Sequence, residues 1–239
     1  MRGLGTLANF IAVIIGSGLG LIFKGGLKPK MQSILMQAGG LAVIFIGIEG
    51  AAQGLLGLKG YTTSSILLVL SLAIGGVLGE AIDIEEKFER IGERLKKAVR
   101  AEGDANFVEG FVTASLVICV GAMAIVGSLE DGLTGNASTL YVKSILDLII
   151  VMVFASSLGI GTMFSALSIL IYQGLITALA VFIKPFISDG LVANLSCVGA
   201  VLVFAVGINL TLGKKFKVGN LLPALIVPVI YEILLSIRG

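Results

Sequence analysis

The sequence predicts an all-α polytopic membrane protein, a bundle of about eight transmembrane helices. Three observations predict it. Eight stretches long and apolar enough to cross a bilayer occupy almost all of the 239 residues. Composition agrees, with 56% hydrophobic residues, 13% charged residues and a mean hydropathy of +1.06, which would leave a water-soluble chain of this size short of polar surface. The charges also fall mainly in the connecting segments. Because lipid offers no partner to backbone polar groups, such stretches must close their own hydrogen bonds as helices.

The predicted spans are residues 4–23, 34–58, 62–81, 107–129, 140–158, 162–183, 188–212 and 220–237, forming a single transmembrane domain over 1–239. The first could pass for a signal peptide, but Lys24 and two glycines follow it where a small-residue cleavage site would stand, so it reads as a retained span. After the third, in the segment 82–104, Ile84, Phe88, Ile91, Leu95 and Val99 recur at helical spacing. Acids lead this segment (Asp83, Glu85, Glu86, Glu89) and bases close it (Lys96, Lys97, Arg100), in keeping with the helix dipole. It is expected to be a cytoplasmic amphipathic helix that docks on the membrane face or on another subunit, or else a spacer lying on its own bundle. Only the uncharged run Ser156 to Thr162 separates the fifth and sixth spans, as a turn or as a break in a bent helix. Pro223 and Pro228 predict a kinked last span, packed inside the bundle.

Basic residues in short loops stay on the cytoplasmic side. With eight spans, one side carries Lys24, Lys28, Lys30, Lys87, Arg90, Arg94, Lys96, Lys97, Arg100, Lys214, Lys215 and Lys217, twelve of the seventeen. The other holds Arg2, Lys59, Lys143, Lys184 and Arg238. Both termini are therefore expected outside. Cys119 and Cys197 both lie in apolar stretches and read as small core residues rather than a disulfide or metal pair.

Spans one to three echo spans six to eight. Gly5, Thr6, Ile15, Gly18 and Leu19 match Gly161, Thr162, Ile171, Gly174 and Leu175, and Gly39, Val43, Gly47 and Ile48 match Gly199, Val203, Gly207 and Ile208. An odd number of crossings between copies makes this an inverted repeat, an arrangement common among secondary transporters. Gly16 with Gly20, Gly50 with Gly54, and Gly75 with Gly79 are small-xxx-small pairs that let helices approach closely, within the chain or in a homo-oligomer.

The run from Cys119 to Leu133, followed by Lys143, Asp147 and Phe154 to Gly159, resembles the central signature of the YqgA/YdfK-like bacterial membrane proteins. Tyr172-Gln173-Gly174 and Leu222-Pro223-Ala224 are similar to later motifs of that family. The resemblance implies a bacterial inner-membrane location and brings no known substrate, reaction or catalytic residue. Where the family pattern often has proline in the central run this sequence has Ala122, so a kink there lacks its usual cause.

With no histidine, no GxGD run and no phosphate-binding glycine loop, the chain offers no catalytic constellation, no metal site and no expected cofactor, and it is not expected to be an enzyme or to bind nucleic acid. What remains is polar groups at membrane depth, where a charge is costly unless it faces protein or water. Glu49, with Gln53 one turn on, stands in the second span, and Asp147 in the fifth, neither with an obvious basic partner inside the spans. Glu130 and Asp131 close the fourth span and read as a solvated rim, while Asn209 takes the place of Glu49 in the repeat, as interhelical glue or as a ligand. Glu80, Glu109 and Glu232 sit near span ends. Glu49, Gln53, Asp147, Asn209, Glu130 and Asp131 are thus the candidate pathway residues. They point to a secondary transporter or channel for a small solute or ion, coupled to a proton or cation through Glu49 and Asp147 converging on one polar cavity. The alternative is a membrane scaffold or sensor subunit.

Overall fold

Helices dominate the computed structural model, which describes residues 2–26, 28–57, 60–119, 122–184 and 187–238. They are α1 (Leu4–Gly26), α2 (Pro29–Leu55), α3 (Ser65–Ile82), α4 (Ile84–Ala98), α5 (Phe107–Cys119), α6 (Ala122–Thr134), α7 (Ser138–Leu158), α8 (Ser165–Ile183), α9 (Asp189–Leu212), α10 (Val218–Leu221) and α11 (Ile226–Arg238). Short 3-10 turns over Ile160–Phe164 and Leu222–Leu225 lead into α8 and α11. Among the described residues seven stretches are long and apolar enough to cross a membrane, and α5 with α6 form a bent pair that supplies an eighth. The chain is built as an all-α, multi-pass membrane protein. Side chains such as Phe45, Val77 and Phe182, 68–74% exposed, form the surface that lipid covers.

Helix directions follow from close approaches. Gly5 of α1 abuts Leu140 of α7, Gly16 abuts Leu148 and Val151, and Gly20 abuts Met152 and Ala155, so α1 and α7 run parallel. Gly40, Gly47 and Gly54 of α2 meet Leu210, Phe204 and Cys197 of α9 in descending order, so that pair is antiparallel. Gly75 against Ala224 and Gly79 against Asn220 set α3 antiparallel to the last span. Gly110 near Thr162, Ser115 bonded to Ser168, and Gly132 against Thr177 set the α5–α6 pair parallel to α8. Each relation is the one that eight alternating crossings require.

This decides the separator between spans five and six. Gly159 has φ +89, a value that disfavours any side chain, and the chain reverses there. A Cβ at this position would also collide with the Asp104 carboxylate and the Lys24 ammonium. The turn, uncharged in itself, therefore lies at the end of the bundle bearing the basic loops and borrows their charges.

The break falls instead in span four. The axes of Phe107–Cys119 and Met123–Thr134 diverge by 65° without any proline. Val120 and Gly121 of the signature run lie outside the described residues, as does Lys59 of the topology count. The last span departs from its expected burial. Pro223 and Ala224 are buried against α3, but Ile226, Ile230 and Leu234 of α11 are 51–58% exposed. A 3-10 turn at Pro223 interrupts the helix, and beyond it Pro228 is buried while the opposite side of α11 is exposed. Span two begins at Pro29, five residues before its predicted start, because proline suits a first helical position and Lys30 extends past the bundle end.

The core has two parts. Val43, Val117, Phe154, Leu158, Leu202 and Val206 form the larger one, and Val13, Ile118, Val151, Ala166 and Ile169 the smaller. The polar groups described next adjoin the smaller core through Ile118.

Candidate functional site

Near the end of α5 the Ile118 carbonyl is met by a lysine. Lys143 of α7 donates from Nζ to the Ile118 carbonyl at 2.8 Å and to Asp147 Oδ2 at 2.6 Å, and Asn9 Nδ2 of α1 donates to the same carboxylate oxygen at 2.9 Å. The lysine and aspartate side chains are 8% and 5% exposed. Three helices thus converge on the break in span four through one buried ion pair. Its depth follows from the rise of 1.5 Å per residue, which places Ile118 roughly 16 Å along α5 and Asp147 about 14 Å along α7, near the bilayer centre.

Further buried polar atoms lie at a similar level. Asn9 Oδ1, Ser128 Oγ and both amide atoms of Gln173 have no hydrogen-bond partner among the described residues. Thr6 and Thr177 share a hydrogen bond of 3.3 Å between α1 and α8, while Gly132 of α6 abuts Thr177. One turn inward from that contact stand Asn9 or Phe10, Ser128 and Gln173. Gln173 is fully buried.

Cavities lie at both ends of the bundle. At the end opposite the basic loops, a cavity of about 510 Å³ is lined by Arg2, Thr6, Leu7, Gly132, Gly174 and Thr177. Thr6 is one turn from Asn9, and Gly174 is the neighbour of Gln173. At the basic end a cavity of about 490 Å³ is lined by Glu85, Glu89, Glu109, Thr113, Leu116 and Lys214, among others. Its wall on α5 runs from Val108 to Leu116, on the side of that helix away from Ile118. Neither cavity is lined by Glu49 or Asp147.

The structure revises how several candidates were read. Asp147 does have a basic partner, since Lys143, counted by sequence among the loop charges, lies one turn away on the same helix and folds inward. Asp131 is not a solvated rim. It is fully buried and accepts from the backbone N–H groups of Gly3 at 3.0 Å and Gly5 at 2.9 Å, capping α1 from a neighbouring helix where the positive end of the dipole favours a carboxylate. Glu130 accepts from the Thr139 hydroxyl at 2.7 Å. Asn209 is not interhelical glue, but it lines the cavity at the basic end. Its Oδ1 accepts from the Lys215 and Phe216 N–H groups and its Nδ2 donates to the Phe216 carbonyl, fastening the loop that leaves α9. Glu49 is exposed and accepts from Gln53 on the same helix, so it shares no cavity with Asp147. Of the sequence candidates only Asp147 belongs to the convergent centre. Lys143, Asn9, Ser128 and Gln173 were missed, although the spacing Lys143-x-x-x-Asp147 inside an apolar run is a legible sign of an ion pair.

At the basic end a second polar group ties the chain together. Glu85 accepts from Gly219 N at 3.0 Å and pairs with Lys214 at 2.6 Å, while its own N–H donates to Asn220 Oδ1 at 2.7 Å. Asn220 in turn donates to Glu80 at 2.7 Å, and Glu80 pairs with Lys217. Burial works against the Lys214 ammonium, but its bonds to Glu85 and Glu89 outweigh that and hold its pKa above the ordinary 10.5.

A family described as "Protein of unknown function (DUF554)" matches residues 4–233. The chain belongs to this family. It is 37% identical over 224 residues to the "Uncharacterized membrane protein YdfK" of Bacillus subtilis, covering 94% of this chain and 93% of that protein. It is 29% identical over 227 residues to the "Uncharacterized protein YqgA" of Escherichia coli, covering 93% of each chain. No solved structure matches it. Membership agrees with the resemblance read from the central run, which corresponds to α6 and the break before it.

Proposed function

We propose that the protein is a transporter or channel for a small solute or ion, with its central site at the break of span four, and that it performs no chemistry on its cargo. The observation that carries this reading is the layout of two end cavities, separated by a buried polar centre that contains an ion pair and unpartnered amide and hydroxyl groups. A broken helix offers cargo or coupling ions the polar backbone ends that a continuous span hides. Lys143 and Asp147 neutralise each other in this arrangement, and protonating the Asp147 carboxylate or displacing either side chain would free its partner for a passing ion. The basic loops would face the cytoplasm across the bacterial inner membrane, with both termini outside.

An inverted repeat fits the α2–α9 contact. A Cβ on Gly47 would lie 2.6 Å from the Phe204 nitrogen, and one on Gly207, its counterpart in the repeat, 2.7 Å from the Ile44 nitrogen. The pairs 47/204 and 207/44 exchange under the sequence offset, as a two-fold axis in the membrane plane demands. Rocking of one repeat against the other about this axis would open the two cavities alternately.

Gln173→Leu in liposomes tests the reading. Because the native amide has no hydrogen-bond partner among the described residues, leucine should leave thermal stability unchanged or raised, while flux of the transported species from an ion and metabolite panel falls at least about tenfold. Unaltered flux would move the site elsewhere. The second reading, a scaffold, is favoured by Glu49, a carboxylate exposed on the side of α2 that needs a partner at membrane depth. Crosslinking between copies through a cysteine at Glu49, together with absent flux, would support it.

A further inference from the structure

Helix α4 is amphipathic, yet its docking contact covers only one edge of its apolar stripe. Its buried residues are Glu85 and Gly92, and Gly92 rests against Val108 and Phe111 in the first turns of α5. The apolar stripe of Ile84, Phe88, Ile91, Leu95 and Val99 lies to one side of that contact. Ile84, Phe88 and Leu95 are half-buried, and Ile91 and Val99 are 47% and 40% exposed. Since Phe111 is four residues into span four, α4 sits within about 6 Å of where that span enters the bilayer, at the level of the lipid headgroups.

Its charges are nearly balanced in the sequence but not on the outer surface. Glu85 and Glu89 turn inward to Lys214, and Glu86 is held by Arg90. Among the described residues no ion pair engages Lys87, Arg94, Lys96 or Lys97, and Glu93 is the one acid of the helix likewise outside the ion pairs. Lys87 and Arg94 stand four residues before and three residues after Ile91, so they flank the exposed stripe as its helical neighbours. Apolar side chains beside two free cations at headgroup depth match a lipid with buried acyl chains and an anionic head.

We infer that α4 is an interfacial helix that binds anionic phospholipid of its own bilayer, with Ile91, Leu95 and Val99 against the acyl chains and Lys87 and Arg94 on the phosphate. The internal use of its acids produces the selectivity, because ion pairs with Lys214 and Arg90 withdraw negative charge from the lipid side. This is independent of whether the protein transports.

The chain contains no tryptophan, so Ile91→Trp places a single indole on the stripe. The full-length variant would be reconstituted in nanodiscs with brominated acyl chains on either phosphatidylglycerol or phosphatidylcholine at equal mole fraction. The expected result is blue-shifted emission quenched more by the brominated anionic lipid, with a preference of about fivefold for each base that engages a headgroup. Lys87→Gln with Arg94→Gln should abolish the preference while leaving quenching in place. Red-shifted emission insensitive to bromine overturns the proposal, as does equal quenching by both lipids. Blue-shifted emission that bromine does not quench would mean that protein, such as a second copy, covers the stripe, and overturns it too. If Ile91→Trp fails to fold, Val99→Trp reads the same stripe two turns on.

Discussion

Two helix seams in this protein are built alike and hold different contents. Along α1 and α7 the glycines Gly16 and Gly20 bring the helices against the Leu148 and Met152 carbonyls, and along α2 and α9 Gly47 and Gly207 do the same against Phe204 and Ile44. Toward the end opposite the basic loops the first seam opens into Asn9, Asp147 and Lys143, whereas the described side-chain bonds across the second amount to a Cys197 thiol on the Ala51 carbonyl at 3.7 Å. Close packing by glycine is therefore not itself the mark of a site. The polar seam is the one that meets the broken span, where Lys143 donates to the Ile118 carbonyl. The α2–α9 seam is the dry one, and the α1–α7 seam, lined by Asn9, Lys143 and Asp147, the wet one.

The comparison can be broken most forcefully at the wet seam. Lys143→Met leaves Asp147 buried without its cation and the Ile118 carbonyl without its donor. It should destabilise the protein by about 3–5 kcal/mol, read as a fall in melting temperature in detergent, with Lys143→Met/Asp147→Leu recovering much of the loss. If the single variant is as stable as the parent, the pair is not what holds the break. At the dry seam Gly207→Val should cost about 1–3 kcal/mol by forcing α9 away from Ile44, without adding any polar defect. An equal cost with loss of flux, while Gln173→Leu still transports, would locate the pathway between α2 and α9 instead.

Two smaller effects sharpen the same contrast. Asp131→Ala removes the cap from α1 and should cost about 0.5–2 kcal/mol, with faster hydrogen exchange confined to the first turn of α1. Exchange spread evenly over the bundle would contradict a local role. Lys214, with its pKa held above 10.5, contributes stability that is complete below pH 10.5 and is lost as pH rises through the elevated value. Because its side chain is 61% exposed, that contribution is under about 1 kcal/mol. Lys214→Gln should flatten the fall of melting temperature above pH 10.5. An unchanged alkaline limb would assign it to another group.

The spans were legible because bilayer thickness imposes a length and lipid imposes composition, and both are local in sequence. The helix of α4 was legible from its periodicity, but not the face by which it docks, which depends on Gly92 meeting Val108. The bend in span four could not be read from its residues, since no proline marks it and the break is supported from outside by Lys143. The same long-range cause hid the centre. Lys143 resembles a loop charge until α7 is wound into a helix, and Asn9, Ser128 and Gln173 are ordinary span residues until four helices are brought to one level. Glu49 shows the converse, a conspicuous acid whose helix turns it outward.

The cap on α1 carries a mechanical meaning. Asp131 belongs to α6, the half of span four beyond the break, and it grips the first peptide groups of α1 while Thr6, one residue further on, grips Thr177 of α8. If α6 tilts relative to α5, the strain passes along two short linkages to α1 and α8 rather than dissipating in a loop. The first turn of α1 is thus tied directly to the half of span four beyond the break and to α8, so the three elements form one hydrogen-bonded cluster at that end of the bundle.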